Sequence, residues 1–103
     1  MEVTDKNYSE LVAKGDLLVL DFWATWCGPC MALAPTMEQI EKDYAGKPVV
    51  VGKVNVDENE DLTDKFSIRN VPTILFIKNG EVVDKCVGAV LKNVITEKIN
   101  ALI

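Results

Sequence analysis

The sequence predicts an α/β domain, and three observations carry that prediction. Two nearly unbroken apolar runs, Leu17–Ala24 and Val49–Val56, have the length and β-branched content of strands covered on both faces. Between them Leu33, Met37, Ile40 and Tyr44 recur at i, i+4, i+7 and i+11, the spacing of one helix face. Asn79-Gly80, the strongest short hairpin signal, separates two further β-rich stretches.

In chain order, Glu2 and Val3 offer a short first strand with the thinnest pattern behind it. Thr4 or Asp5 is placed to cap a helix carrying Tyr8, Leu11 and Val12 on one face, and Gly15 to stop it. The run Leu17–Ala24 is apolar on both strand faces except at Asp21, which reads as a central strand. After Trp26-Cys27-Gly28-Pro29-Cys30 comes the long helix, with Pro35 as an internal kink. Val49–Val56 is a second doubly covered strand, broken by Lys53, and Leu62 and Phe66 mark a short helix after it. Val71-Pro72 forces an extended approach to Thr73–Ile77, because the residue before proline avoids the helical region. Val82–Val87 should return antiparallel, and Leu91, Val94, Ile95, Ile99 and Leu102 give a closing amphipathic helix.

The 103 residues, 11.4 kDa, suffice for one domain spanning 1–103. At that mass roughly 16,500 Å² of unfolded surface should fall to roughly 5,800 Å², enough burial to fold without staples or metal. Eleven basic against 16 acidic residues leave a net charge of −5 with no basic patch, which opposes binding to nucleic acid or anionic lipid. The chain has no histidine, which removes Ser-His-Asp and Cys-His catalytic pairs and histidine zinc sites. Three cysteines fall short of the four ligands of a structural zinc or a cysteine-held cluster, so neither metal nor cofactor is expected. The first residues lack a basic and apolar leader, and no run reaches the roughly 18 apolar residues of a membrane span. The expectation is a soluble, unexported chain.

Cys27 and Cys30 stand where a buried strand turns into a helix. At i, i+3 on a helix, Cβ atoms lie about 5–6 Å apart, and a disulfide needs roughly 3.5–4.5 Å, so a small adjustment closes the bond. Cys27 would sit at the helix N-terminus, where unpaired N–H groups favour a thiolate. Pro29 suits the first turn because it has no N–H to leave unpaired, and Gly28 keeps bulk away from the sulfur. A redox pair is one reading; a structural staple, inert thiols or a shared intermolecular metal are others. A four-residue loop yields only about 2 kcal/mol in the chain-entropy model, against about 4.7 for a loop of 100 residues, so a staple is poorly placed here.

Asp21-Phe22-Trp23-Ala24, Trp26-Cys27-Gly28-Pro29-Cys30, Ala34-Pro35, Lys53-Val54-Asn55-Val56-Asp57, Ile68-Arg69, Val71-Pro72-Thr73, Lys78-Asn79-Gly80 and Val87-Gly88-Ala89 occur in that order. Over nearly its whole length the chain resembles the thioredoxin family. The resemblance implies a thioredoxin fold, a central mixed five-stranded sheet flanked by four helices, and a cytoplasmic, monomeric reductant of protein disulfides that a thioredoxin reductase recharges. It implies that Cys27 attacks the substrate disulfide and Cys30 resolves the mixed disulfide. Asp21 would lie beneath them as a base for the Cys30 proton, with Lys53 as its neighbour; the competing reading is a solvated or capping carboxylate. Burial raises a carboxylate pKa and an ammonium lowers it, so the two effects oppose each other. The resemblance also implies a cis bond before Pro72, which read alone could be an ordinary strand-initiating proline. Trp26, Gly28, Pro29, Val71, Pro72, Gly88 and Ala89, with Thr73, would make the substrate surface. Trp23 reads as core packing.

Two residues depart from the family pattern. Met31 stands where many members carry a basic residue after the second cysteine, and Cys86 lies outside the redox motif, as an inert half-buried thiol or a regulatory one. Two rival functions use the same sequence: an oxidant or isomerase in an exporting compartment, and a binding subunit with dispensable thiols.

Overall fold

A computed structural model describes residues 1–103. Four strands and four helices follow one another along it, alternating except for the β3–β4 hairpin: α1 (Tyr8–Ala13), β1 (Leu17–Trp23), α2 (Gly28–Asp43), β2 (Val49–Asn55), α3 (Glu60–Lys65), β3 (Thr73–Lys78), β4 (Glu81–Val87) and α4 (Lys92–Leu102). The strand order is β2-β1-β3-β4, with β1 parallel to β2 and the other pairs antiparallel. The sheet is therefore mixed. Folding leaves 5755 Å² of accessible surface, close to the size expectation.

Alternation along β1 explains the two layers of core. Leu17 and Val19 pack toward α2 and α4 with Leu33, Ile40, Phe76 and Ile99, whereas Leu18, Leu20 and Phe22 pack toward α1 and α3 with Leu11, Leu62 and Ile77. The same period of two puts Asp21 and Trp23 on the α2 side. The hairpin turns at Asn79 (φ 51°) and Gly80 (φ 82°), both left-handed, as a two-residue type I′ turn requires, and Lys78 pairs with Glu81.

The expected fifth strand is corrected. Glu2 makes one isolated parallel bridge to Lys53, with Val3 N–H donating to Lys53 O and Lys53 N–H to Met1 O, both at 2.9 Å. The chain then leaves the sheet because a turn starts at once. Thr4 Oγ1 accepts the Asn7 N–H at 3.3 Å while Asn7 Oδ1 accepts the Thr4 N–H at 2.8 Å, closing a turn ahead of α1, whose N-cap is Asn7 and not Thr4. Asp5 does not cap α1. Its carboxylate instead accepts the Leu62 N–H at 2.9 Å and the Asp61 N–H at 3.3 Å, closing the N-terminus of α3.

β2 is an edge strand beyond that single bridge, yet it is covered on both faces, with Val49 and Val51 in the core layer of α2 and α4, Val54 in that of α1 and α3, and Lys53 alone exposed. One other expectation changes. Leu91 is 75% exposed at the N-cap of α4 and contributes nothing to the core; Val94, Ile95, Ile99 and Leu102 do the packing.

Gly52 marks the close approach of the first residues to β2. A Cβ there would meet Val3 Cγ2 at 2.6 Å and the Met1 carbonyl oxygen at 3.1 Å. Val3 is fully buried and β-branched, so it has little room to turn away. Gly52→Ala is expected to destabilise the fold by about 1–3 kcal/mol, read as a lower denaturant midpoint at unchanged slope.

Candidate active site

β1 delivers its last residues to the sheet edge, and the chain turns through Ala24–Trp26 into Cys27, the N-cap of α2. Cys27 is extended (φ −98°, ψ 108°), and its Sγ accepts the Cys30 N–H at 3.2 Å. Gly28 and Pro29 form the exposed start of the helix. A disulfide joins Cys27 to Cys30, whose Cα atoms are 5.3 Å apart. Both sulfur-bearing residues are buried, Cys30 the more deeply, and both pack with Ala24 against Trp23 and Val71.

Behind Cys30 lies a cavity of about 260 Å³ whose lining includes Asp21, Trp23, Met31, Met37 and Lys53. Asp21 is 4% exposed, and its Oδ1 has no hydrogen-bond partner. Burial pushes its pKa up to about 7 against the opposing charge of Lys53, so desolvation wins the contest left open by the sequence. Lys53 is the register partner of Asp21 across the parallel β1–β2 pair, and its Nζ sits 5.2 Å from the centroid of the Trp23 ring. Trp23 is half-buried and walls this cavity as well as packing against the cysteines.

On the other side of Cys27, the Val71–Pro72 peptide is cis. The Val71 carbonyl oxygen lies 3.7 Å from Cys27 Sγ. Pro72 is buried and its carbonyl accepts the Gly88 N–H at 2.8 Å, which brings the end of β4 to the site. Gly88, with φ 88°, is left-handed, and Ala89 after it is exposed. Thr73 is buried with its hydroxyl donating to the Asn70 carbonyl at 2.6 Å, so its side chain faces inward. Trp26 is 70% exposed, and its Nε1–H donates to Asp57 Oδ2 at 2.9 Å.

A family model described as Thioredoxin matches residues 1–101. The chain belongs to the thioredoxin family. It is 51% identical over 100 residues to a thioredoxin of Chlorobaculum thiosulfatiphilum, covering 96% of this chain and 92% of that protein. A thioredoxin of Rickettsia bellii is 50% identical over 99 residues, 95% of this chain and 93% of its own. A chloroplastic M-type thioredoxin of Pisum sativum is 45% identical over 102 residues, 98% of this chain and 59% of its own. Thioredoxins are protein dithiol-disulfide oxidoreductases, and the redox-active pair of this one is Cys27 and Cys30. Membership implies disulfide-containing substrates and a reductase that restores the dithiol.

Within this thioredoxin, the topology gathers Asp21, Lys53 and Cys30 around one cavity, and Trp26, Val71, Pro72 and Gly88 around Cys27. Sequence reasoning assigned no role to Asp57, which anchors Trp26. A signal for it existed: in a parallel pair the carboxyl ends of β1 and β2 emerge on the same edge, so the residues after Asn55 border those after Trp23. Met31 is 43% exposed at the rim of the cavity. Cys86 is buried in the core facing α4, and burial is the main cause of its raised pKa. No helix is long and apolar enough to cross a membrane.

Proposed function

We propose that residues 1–103 form one monomeric, cytoplasmic thioredoxin domain in which Cys27 is the nucleophile and Cys30 the resolving thiol. The observation that carries this reading is the position of Cys27 Sγ at the start of a 16-residue helix, accepting a backbone N–H. In the reduced protein that donor and the helix dipole favour the anionic sulfur, an effect of about 0.3–1 kcal/mol at an exposed helix end and up to about 2 when partly buried.

The thiolate of Cys27 attacks one sulfur of the substrate disulfide, and the other leaves as a thiolate. Cys30 loses its proton toward Asp21 through the shared cavity, which is roomy enough for a linking water and offers it Asp21 and Lys53 as polar partners. Its thiolate then attacks Cys27 Sγ, forming the Cys27–Cys30 disulfide and releasing the second substrate thiolate. Two electrons pass from the pair to the substrate, and a reductase supplies them again. A carboxyl with a pKa near 7 exchanges protons close to neutrality, which suits Asp21 to this role, and Lys53 moderates its charge.

Trp26, Gly28, Pro29 and Ala89 present exposed surface beside the sulfur. Together with Val71, Pro72, Thr73 and Gly88, the last two through their backbone, they form the substrate surface, and Val71 pairs with an extended segment. Nucleic acid and membranes are not partners, in keeping with the net charge of −5. The test is reduction of insulin disulfides with dithiothreitol as electron source. Catalytic turnover above the dithiothreitol background is expected, and a rate equal to background would contradict the proposal.

A further inference from the structure

Beside Cys27, on the side away from the Asp21 cavity, a second pocket of about 310 Å³ opens between the segment after β2 and the loop before β3. Its apolar lining is Trp26, Val56, Ile68 and Val71, and its polar lining includes Arg69 and Asn70. Val71, whose carbonyl oxygen lies 3.7 Å from Cys27 Sγ, lines this pocket, and Trp26 directly precedes Cys27, so the pocket adjoins the sulfur.

Arg69 is the only arginine in the chain, is exposed, and takes part in none of the three ion pairs. No carboxylate lines the pocket, and Asp57, after β2, accepts the Trp26 Nε1–H. The Arg69 guanidinium is thus free for an incoming acceptor. On the Cys30 side Met31 supplies no cation and Lys53 lines the Asp21 cavity, so Arg69 is the one cationic side chain lining the pocket beside Trp26 and Val71.

We propose that this pocket is a specificity subsite for a glutamate within two positions of the attacked cysteine, with Arg69 as the residue that selects it. The aliphatic stem of the glutamate lies against Trp26 and Val56, and its carboxylate meets the planar fork of Arg69. The net charge of −5 does not oppose this at contact, because at physiological salt repulsion is screened beyond about 8 Å. The inference rests on the reading of the Cys27 surface as the substrate site.

Three peptides with the same disulfide and a Glu, Gln or Lys two positions from the attacked cysteine test it, with kcat/KM measured for the full chain. The expected order is Glu, Gln, Lys, with about fivefold between the first two at low salt and less at high salt. Arg69→Gln should bring the Glu and Gln peptides together, and Arg69→Glu should reverse the order, which loss of packing alone does not do. Equal rates for the three peptides, or an unchanged ratio in Arg69→Gln, overturn the subsite while disulfide reduction stands. A protein that reduces none of them overturns both readings.

Discussion

Replacing Cys27 with serine is expected to bring disulfide reduction down to the uncatalysed background, a loss of at least about 10³-fold, as when an enzyme loses its nucleophile. A serine hydroxyl at the N-cap of α2 can still accept the Cys30 N–H and hold the helix, so the fold should survive. What disappears is the sulfur that accepts the substrate in a mixed disulfide and carries the electron pair. Neither remaining thiol replaces it. Cys30 lies deeper and opens toward the Asp21 cavity, and burial keeps Cys86 protonated and out of reach in the core. Turnover of insulin by the folded variant, checked by its unfolding curve, measures this directly, and retained turnover would mean the nucleophile is misassigned.

Asp21→Asn is expected to raise stability and slow one chemical step. The folded-state pKa of Asp21 is raised from 3.8 to about 7, so between those values the folded chain holds a proton that the unfolded chain has released. Stability from this group is fully present below about pH 4 and is lost as pH rises through 7. The loss is on the order of 4 kcal/mol, since each pKa unit is worth about 1.4. The asparagine variant lacks that decline. Unfolding curves of the two proteins should diverge from pH 4 upward, with the variant more stable by about 1–4 kcal/mol at pH 8. Kinetics should move the other way: without the base, Cys30 resolves the mixed disulfide about 100-fold more slowly, while attack by Cys27 changes little. Parallel stability curves and unchanged resolution would make Asp21 an ordinary packing residue.

The burial of Asp21 and the N-cap position of Cys27 were legible in the sequence because they depend on local pattern, whereas their chemical roles came from the family resemblance. Four apolar residues precede Asp21 and three follow it, which fixed its burial, and the cysteines at a strand-to-helix junction fixed the N-cap position of Cys27. Contacts between distant segments were less legible. Asp5 caps a helix more than 50 residues away, a partnership no local propensity encodes, and the turn at Thr4 cut the first strand to a single bridge. Leu91 follows helical spacing yet falls one residue before α4, where the chain is still extended and the side chain points to solvent. The Asp21–Lys53 relation could be suspected from two interrupted strands, but the register that pairs them, and the pocket joining Trp26 to Arg69, come only from the packing of β1, β2 and the loop before β3.

Which sulfur meets the substrate decides the mechanism, and one measurement reads that. Cys30→Ser, reduced and mixed with a disulfide peptide, should stop after the first step and hold one peptide per chain, since the resolving thiolate is gone. Proteolysis of the adduct under non-reducing conditions followed by mass spectrometry locates the bond. The expected result is a single mixed disulfide at Cys27. A peptide found on Cys86, or no adduct at all, would contradict the assignment of Cys27 as nucleophile and Cys30 as the thiol that releases the product.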